Sequence, residues 1–263
     1  MAIITLTTDL GLKDYYVASV KAAILKEFPE AVIVDISHEI PAFDLQKSAF
    51  IIKNCYHDFP EGTIHILGVN SESGIETPHL AIHHNGHYFI GADNGMFSLI
   101  FDTPPEKMVE LTISQDTDRV TFPTKDVFVK AACHIARGGT LEVIGKPKEE
   151  LAVRTLFRAV SENNLIKGIA TYIDHYGNII TNITESSFRE YGKGRPFKIF
   201  FRGAEYEIDV ISPSYNSVAE GERVAMFSST GYIEIAINKA NASKLFGINQ
   251  GDIIRMEFYD KNS

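Results

Sequence analysis

Tryptophan is absent from this chain of 263 residues, and cysteine occurs twice. Two cysteines, Cys55 and Cys133, are too few for a disulfide scaffold and have no metal-type spacing. As an even pair they permit one disulfide, but nothing marks the chain as secreted. There is no basic block: 25 Lys and Arg stand against 34 Asp and Glu, a net charge of −9. That balance argues against nucleic acid and against an anionic membrane as partners. No apolar run approaches the roughly 18 residues of a membrane span. The N-terminus, Met-Ala-Ile-Ile-Thr-Leu-Thr-Thr-Asp, has no basic region and reaches Asp9 too soon for a signal peptide. A cytoplasmic protein is expected. The Walker loop, Gly-x-Gly-x-x-Gly, Gly-x-Ser-x-Gly and Cys-x-x-Cys are all missing.

What is present is ordinary for a globular protein: 44% hydrophobic and 22% charged residues. The length allows one large domain or two smaller ones. Residues 2–7, 31–36 and 63–69 read as buried strands, and 15–28 and 44–58 as helices between them. Strand alternating with helix predicts an α/β domain with parallel pairing, its ligand edge at the strand C-termini near Thr8, Ser37 and Asn70. A hairpin is expected around Asn85-Gly86, and a helix over Asp126–Ala136 ended by Gly138-Gly139. His83, His84 and His87 flank that hairpin turn and read as solvated turn residues rather than ligands, since zinc needs three or four donors in defined spacing.

Beyond residue 150 the texture changes. A polar linker is followed by short alternating strands at 167–173, 197–201, 204–210, 223–227, 232–237 and 252–257. The expected architecture is an α/β N-terminal domain with a central, mostly parallel sheet over residues 1–150. A linker covers 151–165, and a smaller all-β, barrel-like domain covers 166–263.

Five polar clusters fall on turns. Asp9 and Asp14, on a strand-to-helix loop, can grip a diol or an amine; equally, Asp14 reads as a helix cap and Asp9 as a turn residue. Residues 69–79 (Val-Asn-Ser-Glu-Ser-Gly-Ile-Glu-Thr-Pro-His) form a polar loop after the third strand, either a site or plain surface. Ala92-Asp93-Asn94-Gly95 is a turn that exposes polar groups. Asp174-His175-Tyr176-Gly177-Asn178, with Thr181-Asn182, has hairpin character, and its two rings can stack on a base. Phe227-Ser228-Ser229-Thr230-Gly231-Tyr232, followed by Glu234 and Asn238, also reads as a turn.

Taken in order, Thr-Thr-Asp-Leu-Gly-Leu-Lys-Asp, Ile-Val-Asp-Ile-Ser-His-Glu-Ile, Phe-Pro-Glu-Gly-Thr-Ile-His, Ala-Asp-Asn-Gly, Asp-His-Tyr-Gly-Asn and Gly-Tyr-Ile-Glu-Ile-Ala-Ile-Asn resemble one family across essentially the whole chain. It is the S-adenosyl-L-methionine (SAM) hydrolase family, the SAM hydroxide adenosyltransferases, kin to the SAM-dependent fluorinase and chlorinase. The resemblance implies a homotrimer with SAM bound at subunit interfaces, and no cofactor or metal besides SAM as substrate. It implies that Asp9 binds the ribose, that Asp14 and Asn94 line the pocket, and that Phe43 packs near the ribose. It further implies that Asp174 holds the methionine ammonium, that Tyr176 and Asn178 contact adenine, and that Ser229 meets the methionine carboxylate.

The chain departs from the family where water would be activated. Asn70 replaces the Asp of a Val-Asp-Pro-Gly-Val-Gly loop, Thr77 stands at the Arg position, and Pro123 replaces the His of a Phe-His-Gly-Arg-Asp motif. Asn is neutral and Pro offers no side-chain donor or acceptor. Losing a positioned acid or base costs on the order of 10²–10⁴ in rate. Glu72, Glu76, His79 and Lys125 lie nearby in sequence but not at the family spacing. Ser73 and Thr124 match positions where the halogenases hold halide with hydroxyls. The expected activity is therefore SAM cleavage at C5′ by water, giving adenosine and methionine. The alternatives are a catalytically inactive SAM or adenosine binder, or a transferase using halide or another small nucleophile.

Overall fold

The computed structural model describes residues 2–114, 120–155, 157–202 and 206–260. The chain divides into two compact units, Met1–Thr155 and Leu156–Ser263. In the first, chain order runs β1 (Ile3–Thr8), α1 (Tyr16–Glu27), β2 (Val32–Ser37), α2 (Leu45–Lys53), β3 (Ile64–Gly68), β4 (His79–His84), β5 (His87–Ala92), α3 (Met96–Ile100), β6 (Lys107–Leu111), α4 (Val129–Ala136), α5 (Leu141–Ile144) and β7 (Gly145–Pro147). The seven strands form one sheet in the order β2-β1-β3-β5-β4-β6-β7. The pairs β2–β1, β1–β3 and β3–β5 are parallel, and the β4, β6 and β7 pairings are antiparallel. The sheet is thus mixed, with its parallel half where the alternating pattern placed it.

Period-two alternation explains why the parallel half is covered on both faces. Ile4, Leu6, Ile64 and Ile66 join a core with α1 and α4, while Leu67, Leu80, Ile82 and Phe89 join a second core with α2 and α3. Asp44 caps α2 by accepting from Lys47 N at 2.9 Å. The helix expected from Asp126 begins earlier, in a π-turn over Thr124–Phe128 that runs into α4. Gly68, the last residue of β3, allows this: a Cβ there would meet Thr124 Cγ2 and Oγ1 at 2.7 and 2.8 Å. The helix expected over 44–58 stops at Lys53, with a separate 3-10 turn at Tyr56–Asp58. α3 and β6 are additions that the sequence did not signal.

The second unit contains β8 (Val160–Glu162), β9 (Leu165–Ile173), β10 (Ile179–Thr184), α6 (Glu185–Gly192), β11 (Phe197–Phe201), β12 (Tyr206–Ile208), β13 (Arg223–Phe227), β14 (Tyr232–Ile237), α7 (Ala242–Phe246) and β15 (Ile253–Phe258). The strand order is β12-β11-β15-β9-β10-β14-β13, antiparallel throughout, with β8 pairing off β9. The chain after β12 bridges back to β13 through Ile211 and Ala225, which brings the sheet close to a closed barrel. Inside lie Ile166, Ile179, Ile199, Phe201, Ile235, Ile254 and Met256. Within residues 151–165, read from sequence as a linker, Val160–Glu162 is a strand. The strand expected at 204–210 is Tyr206–Ile208 among the described residues; positions 204 and 205 lie outside them. Cys55 and Cys133 are free, and burial pushes both thiols up to about 11.

The histidines of the hairpin overturn one expectation. His84 and His87 are buried rather than solvated, covered by Phe101 and Tyr56 respectively. His65, also buried, has Nδ1 2.7 Å from Thr5 Oγ1 and Nε2 3.3 Å from His87 Nδ1. A short Asn-Gly turn says nothing about what packs over its flanks, which is why the sequence misleads. Burial, then the neighbouring His87, holds His65 down to about 3, and burial also lowers His84 and His87. His57, His83, Glu61, Glu106 and Asp102 surround them. Each of the three has a folded pKa below its unfolded one, so the unfolded chain binds more protons at acid pH. Their stabilising contribution is complete above about pH 6.5 and is lost as pH falls toward 3. Thermal melts followed by circular dichroism should therefore show a midpoint that falls steeply below pH 6.5, and less steeply in His65→Gln. Equal slopes would refute this account.

Candidate active site

Parallel strands put the C-terminal ends of β1, β3 and β5 at one sheet edge, and each is followed by a polar loop. Asp9 follows β1. Its Oδ2 accepts the backbone N–H of Phe43 at 2.9 Å and of Asn70 at 3.4 Å, so one carboxylate oxygen ties the loops after β2 and β3 to that after β1. Among the described residues nothing donates to Oδ1, which is the atom left for a ligand. Both donors have left-handed backbone, φ 66° at Phe43 and 46° at Asn70. Asn tolerates that region; Phe does so at a cost, and this Phe stays 71% exposed instead of packing in the core.

Asn94 fixes the Asn70 loop from the β5 side. Its Nδ2 donates to Val69 O at 3.2 Å and Asn70 O at 3.1 Å, and its Oδ1 accepts from Met96 N. Asp93 turns inward: burial raises its carboxyl, against the Ala152 N–H and Lys148 that hold it. On the β2 side, Asp35 Oδ1 lies 3.1 Å from His38 Nε2, and His38 Nδ1 lies 2.7 Å from Thr8 Oγ1, which also accepts from Leu10 N. Thr8 is buried, so this Asp-His-Thr chain braces the Asp9 loop and does not present a nucleophile. His38 was not singled out from sequence, where it is one of nine histidines without a pattern.

Near Asn70, the loop after β3 is tied to Thr124, the neighbour of Pro123, through one intermediary. Thr124, buried at the start of the π-turn, donates to Ser71 Oγ at 3.0 Å, and Ser71 follows Asn70 directly. His79 reaches the same segment, its Nε2 2.9 Å from Ser71 O; burial lowers its pKa although that bond opposes the shift. A neutral His79 donates to that carbonyl. Thr77 is elsewhere engaged, closing a turn with Gly74 by two 3.2 Å backbone bonds, and among the described residues no hydrogen bond joins it to Asn70 or Thr124. Ser73 is exposed and lines a groove with Glu72, His79 and Val127. Asp14 stands exposed ahead of α1, whose N-cap is Tyr15 without a side-chain cap, so capping is not its role.

In the second unit, Asp174 opens the turn after β9. Its Oδ1 accepts from Asn178 N at 2.8 Å and its Oδ2 from Asn178 Nδ2 at 3.1 Å. Asn178 Nδ2 also faces Tyr215 Oη at 3.4 Å, and Tyr215 donates to Glu234 Oε1 at 2.5 Å. Tyr176 and Asn178 line a cavity of about 620 Å³ together with Tyr215, Asn238, Lys239 and Asn241. Tyr176 is 74% exposed, its ring open to stacking. The turn at Gly177 packs on Asn241, which leaves no room for a Cβ. Ser229 is exposed on the β13–β14 turn and does not line this cavity. Tyr215 is the residue that sequence reasoning missed: it sits in an isolated 3-10 turn with no motif around it. Among the described residues, no group of three or more His, Cys, Asp or Glu is placed to hold a metal ion.

These features define a class: an α/β unit with an anchored carboxylate at its sheet edge, followed by a β-barrel unit with a cavity lined by amide and phenol side chains. Family profiles give that class a name. The SAM hydroxide adenosyltransferase N-terminal domain matches residues 4–145, and the C-terminal domain matches residues 168–255. The chain belongs to this family. It is 30% identical to an (R)-S-adenosyl-L-methionine hydrolase of Thermus thermophilus, over 95% of this chain and 97% of the relative. It is 24% identical to a fluorinase of Nocardia brasiliensis, over 97% and 96% of the two chains. The crystal structure of an uncharacterized conserved protein from Thermotoga maritima superposes with a TM-score of 0.89 at 27% identity, covering 97% of this chain and 99% of that one.

Because Asp9 both anchors two loops and leaves one oxygen open, its removal has a double effect. Asp9→Ala should lower the melting temperature and weaken adenosine binding by roughly 10- to 100-fold in calorimetry, the scale of a lost charged hydrogen bond. Unchanged affinity would show that Oδ1 meets no ligand.

Proposed function

We propose that the protein cleaves SAM at C5′ with water, releasing adenosine and methionine. The observation that carries this is the Asp9 carboxylate, held by the Phe43 and Asn70 amides with one oxygen open, in a chain of this family. On this reading Asp9 holds the ribose hydroxyls, and Asp14, Phe43 and Asn94 shape the surrounding edge. Asp174 meets the methionine ammonium, Tyr176 and Asn178 the adenine, and Ser229 the carboxylate. Ser73 and Thr124 supply hydroxyls near the nucleophile.

The reaction asks little covalent chemistry of the protein. Water oxygen bonds to C5′ as the C5′–S bond breaks, its electron pair neutralises the sulfonium, and the attacking water then gives up a proton. Alignment of the nucleophile behind C5′ supplies several kcal/mol. Asn70, Thr77 and Pro123 cannot take the proton, so turnover is slow compared with a chain bearing Asp, Arg and His there. The same three positions favour a second reading, binding without turnover. The hydroxyls of Ser73 and Thr124, which the resemblance places at halide-holding positions, support a third reading, transfer to a halide, which accepts from O–H groups. No cofactor is required. A homotrimer and a cytoplasmic setting complete the proposal, and the two free thiols fit the latter.

Purified protein incubated with either sulfonium epimer of SAM, with and without halide, should yield adenosine and methionine by chromatography. The triple variant Asn70→Asp, Thr77→Arg, Pro123→His should raise the rate by at least about tenfold. Tight binding with no product from the unsubstituted chain would establish the binding-only reading, and 5′-haloadenosine would establish the halide one. Light scattering should give a particle three times the 29.3 kDa of the chain; a monomer would exclude the trimer.

A further inference from the structure

Asn178 and Tyr215 of the cavity wall belong to a chain of hydrogen bonds whose direction is fixed by its two ends. At one end is Asp174, whose two side-chain oxygens accept from Asn178, Oδ1 from the backbone N–H and Oδ2 from the side-chain amide N–H at 3.1 Å. At the other is Glu234 on β14, 5% exposed, with Oε1 2.5 Å from Tyr215 Oη. Burial, and then the bond to Glu234, pushes the Tyr215 hydroxyl well above its ordinary range, so the proton stays on the tyrosine. Its O–H is committed to Glu234, and the oxygen it turns to Asn178 Nδ2, at 3.4 Å, is an acceptor. Both amide hydrogens of Asn178 are then taken, one by Asp174 and one by Tyr215. The polar atom Asn178 has left for an occupant of the cavity is its carbonyl Oδ1.

We propose that Glu234 and Tyr215 are positioning residues that make Asn178 a pure acceptor, so that the cavity selects a 6-aminopurine and rejects a 6-oxopurine. The inference rests on the nucleoside reading above and deepens it. An exocyclic amine donates to Oδ1. A 6-oxo group there sets two acceptors against each other, and a polar site left unpaired discriminates strongly. Without Tyr215, the second N–H of Asn178 is free to meet the 6-oxo group, and the discrimination is lost. With Gln at 234, the side-chain amide can donate to Tyr215 Oη, the phenol hydrogen then faces the Asn178 amine, and the same orientation is broken.

Dissociation constants of adenosine and inosine for the full chain test this by calorimetry. The unsubstituted protein should bind adenosine at least about tenfold more tightly than inosine. Tyr215→Phe and Glu234→Gln should bring the ratio to within about threefold, with inosine gaining in Tyr215→Phe. A merely structural role for the pair would weaken both nucleosides together and leave the ratio alone. Melting curves verify that each variant is folded; Tyr215→Phe removes one oxygen from a side chain that is 41% exposed and so tests the idea even if Glu234→Gln unfolds. A ratio unchanged in a folded variant, or near one in the unsubstituted chain, overturns the relay and leaves the SAM reading standing. Failure of the unsubstituted chain to bind either nucleoside or SAM overturns both.

Discussion

The bond from Asp9 Oδ2 to two backbone amides is the constraint on which the first unit's functional edge depends. Loops at the end of a parallel sheet carry amides that no ladder satisfies. A carboxylate accepts from two of them at once. In doing so it draws Phe43 and Asn70 into left-handed backbone, a conformation that would relax without the anchor. Asn94 and the Asp35–His38–Thr8 chain brace the same loops from either side. The edge is therefore preorganised: the loops are already held by bonds that a ligand does not have to supply.

The second unit uses the same economy with a different scaffold. Asp174 satisfies the backbone and side chain of Asn178 within one turn, and the buried Glu234 sets the sense of the bonds from the far side. A buried carboxylate is costly unless it is hydrogen-bonded. Burial and the nearby Asp174 raise the Glu234 carboxyl, while the Tyr215 hydroxyl works against them. Tyr215 thus both compensates Glu234 and transmits its polarity to a cavity wall.

Around Asn70 and Thr124 the local structure shows what these residues do. Asn70 keeps a backbone role, donating to Asp9 and giving its carbonyl to Asn94. Thr124 keeps a packing role, pressed against Gly68 and bonded to Ser71. Both residues thus serve as framework of this edge.

Much of this was legible in the sequence. Alternating strand and helix, short distances between turn residues, and apolar periodicity specify local structure and which side of each element is buried. They suffice for parallel pairing in the first unit, for an all-β second unit and for the loops that carry Asp9, Asn70, Asn94 and Asp174; the strand order came from the tertiary structure. What the tertiary structure alone decided are facts about partners distant along the chain. Tyr215 meets Asn178 and Glu234 only because segments distant along the chain fold around one core, and His84 and His87 are buried only because Phe101 and Tyr56 close over them. Thr77 turned out to close its own turn, for the same reason: hydrogen bonds are settled by three-dimensional proximity, and sequence spacing encodes that only within an element.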